Sequence, residues 1–270
     1  MFLNYVISSI PSLLYVSAIY VWYPCVGDVV RSNENQKQKL RRIISVGFST
    51  IFSIMLCHYL FGSSFSEMGI VGPTLLHHLS SIIRCFSLTV ILFSGPIIHT
   101  MFFEKVNIFY LHMDELHSKP VTFASVYLIS PLLEELVFRS CTLSIIRQLN
   151  CEGEMECERI MSSRIVVNIA WSTLLFSLSH AHHFFEKDTN VPMECVRLVV
   201  SALFGMLSSF YFLRTNSIWG PFVSHIFCNI LGAPPIDRIG YLPRYKKIIV
   251  WSLYLIGLLS FFALAGPLTR

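Results

Sequence analysis

The chain has 270 residues, of which 54% are hydrophobic and only 13% charged, and its mean hydropathy is +0.61. Soluble domains carry about 25% charged residues, so this composition excludes an ordinary soluble domain and points to an all-α, polytopic membrane bundle. The net charge is +4, and no soluble face remains to carry a basic patch, which excludes a nucleic-acid partner.

In chain order, apolar runs predict about eight spans, at about 2–23, 43–62, 79–103, 121–147, 164–183, 194–213, 217–231 and 247–266. Together they are read as a single integral membrane domain over residues 1–270. The first run lacks a basic leader and a small-residue cleavage pattern, so it is expected to be a mature helix. The seventh is short and bounded by Gly220-Pro221 and Gly232, so it is expected to be tilted, broken or partly re-entrant. Arg31, Lys37, Lys39, Arg41 and Arg42 follow span one, Lys105 and Lys119 precede span four, and Arg238, Arg244, Lys246 and Lys247 fall at or just before the start of span eight. These loops are expected on the cytoplasmic side, and the Lys/Arg-free segment 62–78, the acidic segment 151–158 and both termini opposite. Most of the eight cysteines are isolated; Cys151 and Cys157 share the acidic loop and are candidates to pair.

Strongly polar residues inside the spans gather in three places. The first is Glu134, Glu135 and Arg139 in span four. An ionisable group in hydrocarbon costs roughly 2.5–3.5 kcal/mol on insertion scales, so such a trio marks a functional site by default. Glu135 and Arg139 have the i, i+4 spacing of a helical ion pair, whereas Glu134 points about 100° away. Glu135 is then the structural partner of Arg139, and Glu134 is the candidate general base. Pro131, three residues earlier, removes a backbone hydrogen bond beside the acids. An ion-pair staple between helices is the bland alternative for the trio.

The second place is Phe176-Ser-Leu-Ser-His180-Ala-His182-His183, at the cytoplasmic end of span five, and the third is His225-Ile-Phe-Cys-Asn229 in span seven. His225 and Asn229 share one helix face, and hydrocarbon offers neither a partner. A carboxylate to activate water, a histidine to share its proton and Asn/His donors for an oxyanion make a peptide-hydrolysis kit, provided spans four, five and seven converge. Two other chemistries fit the residue types. Cys228, at i+3 from His225, is a candidate thiol nucleophile. His180, His225 and Glu134 are a candidate zinc set. No His-Glu-x-x-His or Gly-x-Ser-Gly occurs, and the four aspartates lie in loops or near span ends.

Glu134-Glu135-Leu-Val-Phe-Arg139, Phe176 to His180 and His225 to Asn229, in that order on separate spans, resemble the motifs of the type II CAAX prenyl endopeptidases. The motifs fall within residues 120–232. The resemblance implies an endopeptidase of the endoplasmic reticulum membrane that removes the last three residues of prenylated Cys-a-a-X proteins such as small GTPases, in a site open to the cytosol. It implies that Glu134 and His180 activate water, that His225 and Asn229 stabilise the oxyanion, that Glu135 and Arg139 support them, and that no metal or other cofactor takes part. A membrane scaffold whose motifs only hold helices together, and a transporter using Glu134, Arg139 and His180 as a relay, are the alternatives in other classes.

Overall fold

A computed structural model describes residues 2–21, 36–107, 116–151, 163–181, 184 and 190–269. Each expected span contains helix: α1 (Phe2–Tyr20), α2 (Gln36–Tyr59), α3 (Leu75–Leu92), α4 (Pro120–Asn150), α5 (Ile165–Ser179), α6 (Val191–Thr215), α7 (Trp219–Leu231) and α8 (Arg244–Leu268). All but α5 and α7 contain an apolar stretch long enough to span a bilayer. The seventh span is one unbroken helix of 13 residues, which at 1.5 Å per residue is about 20 Å long and shorter than a bilayer core of about 30 Å.

Local chemistry explains the boundaries. The third expected span stops at Leu92 and resumes as a short helix, Ser94–Ile98, and a π-helical turn, His99–Phe103. Pro96 lacks the N–H that would bond the Leu92 carbonyl, so the helix cannot continue unbroken. Asn190 caps α6 by accepting from the Met193 N–H at 3.2 Å, and Asn216 ends it in the left-handed region at φ 46°. Thr74 caps α3 in the same way, through the His77 N–H at 3.2 Å.

The helix with the acid pair is central: α4 packs against α1, α2, α5, α6 and α7. Helices in lipid associate through close packing and side-chain hydrogen bonds rather than through a hydrophobic drive, and both are visible around α7. A Cβ on Gly220 would lie 2.5 Å from Ser81 Oγ and 2.7 Å from Cys85 Sγ, so α7 meets α3 almost backbone to backbone. Thr89 contacts Tyr211 Oη and the Ser224 hydroxyl, each at 3.1 Å, and Ser81 donates to Thr215 at 3.1 Å, tying α3, α6 and α7 together.

Contacts also sort the loops into two ends. At one end Asn4 donates to the Leu149 carbonyl at 2.8 Å, Gln148 to Glu67 at 2.9 Å and Arg214 to Thr269 at 3.1 Å. At the other, Lys39 donates to Thr122 at 3.3 Å and Arg238 pairs with Glu104 at 3.3 Å. Cys151 is disulfide-bonded. Cys157, its expected partner, lies outside the described residues, as do Arg31, the acidic segment 152–158, His182 and His183.

Candidate active site

The acid pair sits in a short α-helical stretch, Ser130–Glu135, between two π-helical segments, Ser125–Ile129 and Leu136–Cys141. Inserted π turns are common at functional sites because they reorient side chains and leave backbone groups unpaired. Here the Ser130 N–H bonds the Ser125 carbonyl, and Pro131 has no N–H to offer Val126. Asn229 of α7 donates its side-chain amide to that Val126 carbonyl at 3.2 Å. The proline thus creates the acceptor by which α7 is keyed to α4.

Glu135 and Arg139 are both wholly buried and stand 3.4 Å apart. Glu135 accepts from Ser208 at 2.5 Å and from His225 Nδ1 at 2.8 Å. A buried carboxylate with an adjacent guanidinium and two further donors is held in its ionised, acceptor form, which assigns the Nδ1 proton of His225 to this bond and leaves Nε2 for other work. The Arg139 guanidinium lies between aromatic faces, 4.2 Å from the Phe176 ring centre and 5.7 Å from that of Phe204.

Glu134 is more open, with a side chain 15% exposed, and its Oε2 lies 3.7 Å from His225 Nε2. The 100° offset argued that the adjacent acids would face different partners. In the structure they reach one imidazole from two sides, through different ring nitrogens. The other Glu134 oxygen accepts from the Tyr15 hydroxyl of α1 at 3.4 Å.

His180 and Asn229 join this group less directly. His180 is the residue that ends α5; its Nδ1 lies 2.9 Å from the Phe176 carbonyl and its ring 4.8 Å from the Phe176 ring. Phe176 in turn meets the His225 ring edge-on at 6.0 Å. Asn229 is one helical turn from His225 and is bonded to Val126 as described. Cys228 is half-buried and free. Among the described residues no three His, Cys, Asp or Glu side chains gather as a metal-binding group, so His180, His225 and Glu134 do not form one. Sequence reasoning missed Tyr15, Ser208 and Phe204, whose ring lies 4.3 Å from that of His225. Only Tyr15 left a trace, on a face of α1 whose polar members Tyr5, Ser8, Ser12 and Tyr15 are all buried.

Comparison with known proteins shows what this arrangement is similar to. The profile described as "Type II CAAX prenyl endopeptidase Rce1-like" matches residues 117–231, the segment that carries Glu134, His180, His225 and Asn229. Over that segment the chain is similar to the type II CAAX prenyl endopeptidases. It is 26% identical to the "Probable CAAX prenyl protease 2" of Schizosaccharomyces pombe over 97% of this chain and 92% of that one. Identity to the "CAAX prenyl protease 2" of Arabidopsis thaliana is 34% over 53% of this chain and 43% of the relative; for the Homo sapiens protein it is 29% over 52% and 41%. No solved structure matches. The segment with this likeness therefore lies in a multi-pass helical membrane bundle, with the acid pair on the central helix.

Proposed function

We propose that this protein removes the C-terminal a-a-X tripeptide from prenylated Cys-a-a-X proteins, small GTPases among them, at the cytosolic side of the endoplasmic reticulum membrane. The observation that carries the mechanism is the 3.7 Å approach of Glu134 to His225, whose opposite nitrogen is anchored on Glu135. Glu134, the more exposed of the two acids, takes a proton from water with His180 assisting, and the resulting hydroxide attacks the carbonyl carbon beyond the prenylated cysteine. Asn229, through the amide hydrogen not given to Val126, and His225, as the imidazolium that donates from Nε2, stabilise the oxyanion. The proton then passes to the departing amine nitrogen as the C–N bond breaks. Glu135, fixed by Arg139 and Ser208, orients the imidazole and stays ionised throughout.

A membrane-embedded site suits this substrate. A prenyl chain partitions into lipid at about 0.8 kcal/mol per buried CH₂, which delivers the adjoining peptide to the bilayer surface. By helical rise Glu134 lies about 21 Å along α4 from Pro120, so the peptide must descend toward it from the loop end.

Mass spectrometry of a farnesylated Cys-a-a-X peptide, incubated with purified wild-type protein or with Glu134→Gln in the presence of a chelator, tests the proposal. Release of intact tripeptide by wild type alone is expected. Equal release by folded Glu134→Gln would remove Glu134 from the mechanism, and no release by either folded protein would remove the metal-free reading of this activity.

A further inference from the structure

We propose that Tyr15, in the first span and far outside the segment matched by the family profile, positions the Glu134 carboxylate for proton abstraction. The inference rests on the reading of Glu134 as the general base and adds a residue to it.

Tyr15 is 5% exposed, and its hydroxyl donates to Glu134 Oε1 at 3.4 Å while His225 faces Oε2. An ionised carboxylate can only accept, so the phenol is the donor. A carboxylate with neither oxygen bonded rotates about its terminal torsion, which is broad and soft; the Tyr15 bond at Oε1 is the hydrogen bond that restrains it, with the His225 ring 3.7 Å from Oε2 as a neighbour. The remaining lone pairs of Glu134 are then aimed at a fixed point where water can sit, and catalytic hydrogen bonds that are long in an unliganded site shorten when substrate is bound.

The hydroxyl is itself placed by contacts independent of Glu134. The Tyr15 ring packs edge-on to Phe138 at 5.4 Å, and Phe138 packs edge-on to Phe176 at 5.4 Å, in the aromatic row that continues to His180. On the same side of α1, Ser12 lies 3.4 Å from Thr142 of α4, Tyr5 donates to Asn168 of α5 at 2.8 Å and Asn4 reaches the end of α4. Four polar contacts along α1 therefore face α4 and α5, while Phe2, Leu3, Val6, Ile10 and Leu13 point outward. Such polar contacts also hold helices together in lipid; Tyr15 is set apart because its partner is the Glu134 carboxylate. The reacting group is completed from a span that carries no motif.

The test compares wild type, Tyr15→Phe, Tyr15→Leu and Glu134→Gln as full-length protein in detergent, by steady-state cleavage of the farnesylated peptide and by thermal melting. Tyr15→Phe keeps the ring and removes only the donor. It is expected to lower kcat about tenfold, less than the roughly 10²–10⁴-fold contributed by a proton-transfer group itself, because Tyr15 only positions one, with KM within about twofold and melting unchanged. Tyr15→Leu is expected to lower kcat at least as far and to melt earlier, because the aromatic packing goes too. Wild-type kcat in Tyr15→Phe beside an inactive Glu134→Gln overturns the positioning role and leaves the base assignment standing. Loss of kcat in step with loss of folded protein also overturns it, since the hydroxyl would then be structural. Activity in Glu134→Gln overturns the base assignment itself.

Discussion

At the scale of single residues, the two adjacent glutamates have opposite environments, and the difference assigns their work. Glu135 is wholly buried and surrounded by Arg139, Ser208 and His225; Glu134 keeps some exposure and has one phenol and one more distant imidazole. A buried charge is tolerated only when its lone pairs are filled, so each donor on Glu135 matters more than an ordinary hydroxyl does. Ser208→Ala removes a charge-assisted hydrogen bond and is expected to cost about 2 kcal/mol of stability, and to lower cleavage because Glu135 then holds His225 less firmly. Ser209→Ala is the control: its hydroxyl donates to Ser172 at 3.0 Å, a neutral pair, and the expected cost is about 1 kcal/mol. Thermal melting and cleavage of both variants side by side check the order. Equal losses would show that Glu135 does not depend on this donor.

At the scale of elements, the spans and the acid trio were legible because twenty apolar residues in a row, and charges inside them, have few readings in a membrane. The hydroxyl partners were not. In these helices Thr50 bonds the Val46 carbonyl and Ser53 the Ser49 carbonyl, each at 2.8 Å. A Ser or Thr that satisfies itself on its own helix leaves no trace of a tertiary partner in the sequence, and Ser208 differs from them only once α4 is beside it. The π segments around Ser130–Glu135 were equally hidden, although Pro131 announced a lost backbone bond; which carbonyl it freed, and that Asn229 takes it, depends on the packing of α7. That packing turns on Gly220. A methyl there would sit 2.5–2.9 Å from Ser81 and Cys85 atoms, whereas one on Gly266 of α8 would have nothing within 4 Å. Gly220→Ala is expected to destabilise by about 1–3 kcal/mol, as overpacking does, and to reduce cleavage by shifting His225 from Glu135. Gly266→Ala is expected to change neither. Melting and turnover of the two variants give the comparison, and a neutral Gly220→Ala would mean that α7 adjusts without moving the site.

At the scale of the whole molecule, the contact pattern and the charge pattern describe the same two ends. Lys39, Lys119, Arg238, Arg244, Lys246 and Lys247 gather at the end where α5 terminates in His180 and α7 in Gly232. Met68, Gly69, Asn216 and both termini of the described chain lie at the other, where Asn216 donates to the Ser66 carbonyl at 3.2 Å and Ile218 to that of Gly69 at 3.1 Å. Lys and Arg in short loops stay cytoplasmic during insertion, which supports the proposed cytosolic placement of the His180 end, and a disulfide at Cys151 fits the opposite, oxidising side of that proposal. The proposed orientation is tested at two exposed positions, Arg244 at the start of α8 and Ser66 in the loop before α3, one at each end. In sealed microsomes with the cytosolic surface outward, a membrane-impermeant maleimide is expected to label Arg244→Cys at once and Ser66→Cys only after permeabilisation, each in a background where Cys195 is replaced. Labelling in the reverse order would turn the bundle over, and the path from a cytosolic prenylated tail to Glu134 would then have to cross the membrane.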